Sequence, residues 1–303
     1  MTSYIDEDLA YFLGAIVARG VILRREKVTT ITIFYPFRNL EVEGITKAYK
    51  NPAELSLGLD RIVNRLIGLG FDVRKQVLER ECQIVTDIKT GDLRLRLLNS
   101  HLGKRYTSYR EFHIPKSIFN APESIKKEFM RGYADVAGHV RQSNRYIDGR
   151  HRVYIDVLND NWHLPVELCT LLQDYLNVPV QTIDWGHPNT RDSNLEDYKA
   201  GRTRAWAREH QIKVFADAFV PIGFYIKYKN EILTELAEFN RREYPSITPK
   251  FCIPPKPISK KPRHPAENDQ SLPPEIRGKH FDAYWQICEA MGCLRCKQQK
   301  RLM

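Results

Sequence analysis

Residues 129–140 read FMRGYADVAGHV, and residues 11–22 read YFLGAIVARGVI. Aligned, Gly14 falls on Gly132 and Gly20 on Gly138, at a constant offset of 118 residues. Each stretch reads as a short apolar helix with one glycine inside it and another at its end, and the repetition decides the fold. The segments downstream of the two copies also match. After the first come an alternating strand at 28–34 (VTTITIF), a helical run at 55–69 (LSLGLDRIVNRLIGL) and a strand at 71–77. After the second come a strand at 151–158 (HRVYIDVL), a helical run at 165–176 (PVELCTLLQDYL) and a strand at 180–185. Residues 208–215 (REHQIKVF) supply a last strand, and 216–239 a closing helix broken near Pro221 and Gly223.

The composition agrees with a globular reading. The chain has 303 residues, 42% hydrophobic and 28% charged, enough for one large or two ordinary cores, which excludes collagen-like, disordered and disulfide-scaffold classes. No stretch approaches the roughly 20 apolar residues that span a bilayer, and the start, MTSYIDED, lacks the basic-then-apolar order of a signal peptide. A soluble, cytoplasmic chain with no membrane partner is expected. Forty-seven basic residues against 37 acidic ones give a net charge of +10, which favours a polyanionic partner. Beyond Asn240 the pattern changes: more than half of the 17 prolines lie between Pro245 and Pro274, interleaved with lysine, as in an extended arm.

The second copy sits in a longer run, residues 113–138 (HIPKSIFNAPESIKKEFMRGYADVAG). With the closing segment REHQIKVFADAFVPIGFYIKYKNEIL, it resembles the LAGLIDADG homing endonucleases in their single-chain, two-repeat form. The resemblance covers about the first 240 residues. It implies an α+β fold of two pseudo-symmetric αββαββα domains forming a DNA-binding saddle. The expected division is 1–120 and 121–240 for the repeats, 241–274 for the Pro-rich arm and 275–303 for a small cysteine-containing module. The motif glycines have a physical reason: helices packed along a pseudo-two-fold axis need small residues where their backbones touch.

In that family the sheets lie in the major groove, where arginine pairs with guanine and asparagine or glutamine with adenine. The residues expected to read DNA are Arg24, Arg25, Lys27, Thr29 and Thr30 after the first motif, and Arg141, Gln142, Asn144, Arg145, Arg150 and Arg152 after the second. The resemblance also places a metal-binding acid before each motif's final glycine. Those positions hold Arg19 and Ala137, neither of which can ligate Mg²⁺. Asp135 falls at a non-ligating acid position, and Lys227 or Lys229 could sit where a basic residue assists catalysis in the family. Arg19 could instead face the DNA phosphates. Asp156, Asp160 and Asp184 could build a displaced metal site.

Three functions are consistent with these residues. The first is a sequence-specific double-stranded DNA-binding protein without family-type cleavage, a regulator or the targeting subunit of a protein complex, monomeric on DNA because one chain supplies both halves. The second is a metal-dependent endonuclease with a displaced active site, needing Mg²⁺. The third is a maturase that binds intron RNA. Cys288, Cys293 and Cys296, spaced C-x4-C-x2-C, could hold a structural zinc ion with His280 or Cys252 as fourth ligand, or stay unliganded. Cys82 and Cys169 read as buried small hydrophobes.

Overall fold

The computed structural model describes residues 4–143, 149–158, 161–188, 197, 199–202, 208–245, 272–279, 281 and 284–300. The chain forms two compact units, Met1–Val153 with Phe215–Ile247, and Tyr154–Val214 with Thr248–Met303. The first opens with α1 (Glu7–Arg19), β1 (Gly20–Arg24), β2 (Val28–Pro36), α2 (Phe37–Leu40), β3 (Val42–Glu43) and β4 (Ala48–Tyr49). It continues with α3 (Pro52–Leu57), α4 (Asp60–Gly68), β5 (Asp72–Val77), β6 (Glu81–Lys89) and α5 (Leu93–Leu102). Then come α6 (Lys116–Phe119), α7 (Glu123–Ala137) and β7 (Gly138–Arg141). The second-repeat strands and helix are β8 (Arg152–Leu158), α8 (Leu164–Thr170), β9 (Val180–Pro188) and β10 (Arg208–Phe215). They are followed by α9 (Ala216–Phe219), α10 (Lys227–Glu243), α11 (Tyr284–Ala290) and α12 (Leu294–Lys300). No helix among the described residues is long and apolar enough to cross a membrane.

In the first unit an antiparallel sheet runs β1-β2-β6-β5. Strand β2 alternates cleanly: Thr29, Ile31, Ile33 and Tyr35 are buried, whereas Thr30, Thr32 and Phe34 are not. Pairing carries that parity across the sheet, because directly paired residues point to the same face. Leu23 and Val21 stand beside Thr30 and Thr32, then Asp87, Val85 and Gln83 on β6, then Asp72, Arg74 and Gln76 on β5. These residues make the open face; Gly20, Ile22 and Arg24 point to the core side with Ile33, Ile31 and Thr29. In the second unit β8, β10 and β9 are neighbours in that order.

Several elements differ from the sequence expectation. The run 55–69 is two helices, α3 and α4, which part at Gly58 and Leu59; a Cβ on Gly58 would meet the Tyr228 ring at 2.3 Å. The second-half helical run continues past α8 as a π-helical turn at Leu171–Tyr175. Strand β6, the partner of both β2 and β5, has no counterpart in the expectation. Cys82 and Cys169 are buried, as expected.

Helix α5 shows how local chemistry fixes a boundary. The Asp92 side chain accepts from the Arg94 backbone N–H at 2.9 Å, and the Arg94 guanidinium hydrogen-bonds back to it. That hydrogen bonding holds the Asp92 carboxyl down at about 2. A depressed carboxylate contributes stability above its unfolded value and loses it as pH falls through the folded one. Asp92→Ala should therefore cost about 1 kcal/mol at neutral pH and remove the part of acid unfolding that falls between about pH 4 and about pH 2. Urea midpoints measured across that range check it; parallel curves for parent and variant would refute it.

Candidate nucleic-acid interface and motif helices

The site is built around α1 and α7. The Asp6 side chain caps α1 by accepting from Leu9 N–H at 2.8 Å, and Gly20 and Gly138 end the two helices by turning directly into β1 and β7. Between those ends the backbones touch. A Cβ on Gly14 would lie 2.0 Å from the Phe129 carbonyl oxygen, and one on Gly132 would lie 2.0 Å from that of Tyr11. The two contacts mirror each other, and each helix leads into a strand of its own repeat; the second repeat follows the order αββαββα, and the first follows it with α2, β3, β4 and α3 added between β2 and α4. The fold is LAGLIDADG-like.

No protein-family model and no curated protein matches the sequence. Among solved structures, a variant of the homing endonuclease I-DmoI in complex with its target DNA is 16% identical, with a TM-score of 0.37, covering 75% of this chain and 97% of its own. The LAGLIDADG homing endonuclease I-GzeII in complex with its DNA target is 11% identical, with a TM-score of 0.37, covering 81% and 94%. I-DmoI in complex with DNA and Ca is 15% identical, with a TM-score of 0.34, covering 71% and 87%. At this level the overlays are loose, and the fold assignment rests on the paired glycine contacts and the element order.

The family's metal positions do not fit a divalent cation here. Ala137 is fully buried and offers no side-chain oxygen, and Arg19 carries a fixed positive charge. Arg19 is also only 6% exposed, enclosed at the last turn of α1, which corrects the expectation that it faces phosphates. Asp135 is fully buried and its oxygens are occupied: Tyr11 donates its hydroxyl at 2.7 Å, and Tyr225 and Ile226 donate backbone N–H groups at 3.1 and 3.3 Å. Burial pushes the Asp135 carboxyl up, opposed by the Lys229 charge and those three donors.

Lys229 is fully buried, and its ammonium donates to the carbonyls of Ala134, Asp135 and Gly138 at 3.3, 3.0 and 2.6 Å. These include acceptors left over at the C-terminal end of α7, so the lysine closes the helix and complements its dipole. Asn39 adds a fourth contact there, donating to Ala137 O at 3.0 Å. Lys227, by contrast, points to solvent beside Glu231 at 3.8 Å. Neither lysine stands as a base at an open reaction centre.

The expected DNA-reading residues divide sharply. Arg25 and Lys27 are exposed at the β1–β2 turn, and Thr30 lies on the open face with its hydroxyl on Asp87 at 2.7 Å. Thr29 is buried on the core side, and Arg24 points the same way, its guanidinium bound to Tyr106 O and Asn99 Oδ1. Arg141 is half-buried at the end of β7, and Gln142 donates to Gly44 O at 2.6 Å. Asn144 and Arg145 lie outside the described residues. Arg150 and Arg152 are buried, not displayed. Arg150 lies 3.7 Å over the Phe215 ring with Asp217 at 3.9 Å, and Arg152 donates to the Arg150 carbonyl at 3.0 Å. Stacking on an aromatic face and a nearby carboxylate make burial tolerable for such a cation.

The sequence reading missed part of the open face. Arg74 and Gln76 on β5, Gln83 on β6 and Lys89 at the end of β6 are groups that can donate to base edges or phosphates. For Arg74 and Gln76 the available signal was the strand already read at 71–77, whose alternate residues they are; β6 alternates only at its two ends. In the second unit the buried Asp156 accepts from Gln211 at 3.0 Å, and the half-buried Asp184 pairs with Lys213. Asp160 lies outside the described residues, so the acids seen are paired with other groups and do not form a metal set.

The cysteine module is built differently from the zinc expectation. Trp185 stacks on Trp162 (5.5 Å, 6°), His210 meets both edge-on, and the Trp185 indole N–H donates to Cys288 Sγ at 3.3 Å. Cys288 is thus drawn into an aromatic cluster on β9. The neighbouring Cys296 holds the Cys293 thiol down at about 6. Among the described residues no three His, Cys, Asp or Glu side chains gather into a metal site. His280 and Cys252 lie outside those residues.

Proposed function

We propose that this chain is a sequence-specific double-stranded DNA-binding protein that reads duplex DNA with the open face of β1-β2-β6-β5 and does not cleave through positions 19 and 137. One observation carries the reading. Beside Asp72 and Asp87, the latter paired with Arg74, that face presents Thr30, Thr32, Gln76, Gln83 and Arg74, with Arg25, Lys27 and Lys89 at its rim. Hydroxyls and amides of this kind pair with base edges, and exposed cations supply the salt-dependent attraction to phosphate. Because Tyr154, Asp156 and Gln211 are buried, base reading is assigned to the sheet of the first unit.

Binding as a monomer, and service as a regulator or targeting subunit, are parts of the same proposal. The test is selection from a random duplex library with Mg²⁺ present, sequencing retained fragments and newly formed ends separately. Enriched sites with intact ends are expected. New ends at the enriched site that vanish with chelator would overturn the non-cleaving half of the proposal. Absence of enrichment would overturn the DNA-reading half, and preferential retention of structured RNA in a parallel pool would replace it.

A further inference from the structure

Residues 103–113 (GKRYTSYREFH) belong to no helix or strand, yet they are fastened to the reading sheet. Helix α5 ends at Gly103, whose φ of 78° suits glycine and turns the chain outward. Thr107 O then accepts from Ile22 N–H at 2.7 Å, Tyr109 N–H donates to Gly20 O at 2.8 Å, and Ser108 bridges to Val21 in antiparallel sense. The segment therefore covers the outer edge of β1 through one antiparallel bridge and its two flanking hydrogen bonds. The Arg24 guanidinium holds it from the core side, donating to Tyr106 O at 3.3 Å and to Asn99 Oδ1 at 3.1 Å. Lys104, Arg105 and Arg110 are exposed along it, against one exposed acid, Glu111. The neighbouring β1–β2 turn adds exposed Arg25 and Lys27 against Glu26.

Resting on the DNA-binding reading above, we propose that residues 104–110 are a phosphate clamp: Lys104, Arg105 and Arg110 contact the backbone of the duplex whose bases the adjacent sheet reads, and Arg24 is the positioning residue that holds the clamp. The chemistry is that of a fixed row of cations beside a base-reading surface. Such contacts set register and carry no sequence preference.

The experiment measures anisotropy of a labelled random-sequence duplex of about 30 base pairs with the full chain, from about 50 to about 300 mM KCl. Replacing Lys104, Arg105 and Arg110 together by glutamine should make the slope of log affinity against log salt shallower by about 2 to 3, since each lost phosphate contact removes about 0.9. Arg24→Ala removes the contact to Tyr106 O and should flatten the slope by about 1 or more, and Asn99→Ala, which loosens the Arg24 guanidinium without removing a charge, should flatten it in the same direction by less. Thermal midpoints are recorded beside each slope. A parental slope in the folded triple variant overturns the clamp and leaves the reading sheet standing. Parental slopes in Asn99→Ala and Arg24→Ala, with a flattened triple variant, overturn only the positioning role. If the parent chain shows no salt-dependent DNA binding, the function proposed above falls and the clamp falls with it.

Discussion

Lys229→Met should lower stability by about 3 to 5 kcal/mol, the cost of breaking a buried charge arrangement by removing one member. The ammonium serves three carbonyls at the end of α7 and offsets the fully buried Asp135. Methionine fills the space but donates nothing, so those carbonyls lose their lysine hydrogen bonds and the carboxylate loses its compensating charge. The loss should depend on pH in an unusual direction. Burial already pushes the Asp135 carboxyl up, and Lys229 opposes that rise; without the lysine the carboxyl climbs further. A group whose folded pKa is raised stabilises fully below its unfolded value, near about 3.9 for aspartate, and loses that stabilisation as pH rises through the folded one. The variant should therefore be closest to the parent in acid and furthest from it at neutral pH. Adding Asp135→Asn should recover part of the loss, because removing both members of a buried pair costs less than removing one. Urea titrations between about pH 4 and about pH 8 read all three effects. A pH-independent cost, or no recovery in the double variant, would mean that the lysine and the carboxylate are not energetically joined.

How far the sequence could be read depended on whether a feature has a period. The motif helices were legible because Gly14 and Gly132 occur in matched surroundings, and two copies separate a packing requirement from chance. The strand 28–34 was equally plain, since VTTITIF alternates. Face was not legible. Thr29 and Thr30 are adjacent and chemically alike, yet register with Ile88 and Asp87 sends one to the core and one to the open face. A one-residue difference in parity also turned Arg24 from an expected reader into a tether. Strand β6 escaped because its consecutive Ile84, Val85 and Thr86 interrupt the alternation, and with it went Gln83. Arg150 and Arg152 misled for a different reason. Arginines on a strand suggest a solvated surface, whereas Phe215 and Asp217, more than sixty residues later, provide a stacking face and a counter-charge inside. The cysteine spacing told that thiols lie close, and Cys293 with Cys296 fit it. That Cys288 would turn to Trp185 depends on a distant strand.

The glycine pair makes the other large prediction. Gly132→Ala should destabilise the chain by about 3 kcal/mol or more, the upper range for overpacking a well-packed interior. The reason is what the new methyl meets. At 2.0 Å its neighbour is a backbone carbonyl of α1, not the end of a side chain that could swing away, so the helices themselves must separate. Gly14→Ala should cost a similar amount against the Phe129 carbonyl. The two costs should not add. Once one methyl has moved α1 from α7, the second enters space already opened, and the double variant should be more stable than the sum of the single losses predicts, by a coupling of about 0.5 to 3 kcal/mol. Coupling of that sign across 118 residues of sequence would be the energetic signature of two repeats meeting at one crossing. Single alanine variants within about 0.5 kcal/mol of the parent would show instead that the helices can part at no cost, and the small residues would then need another explanation.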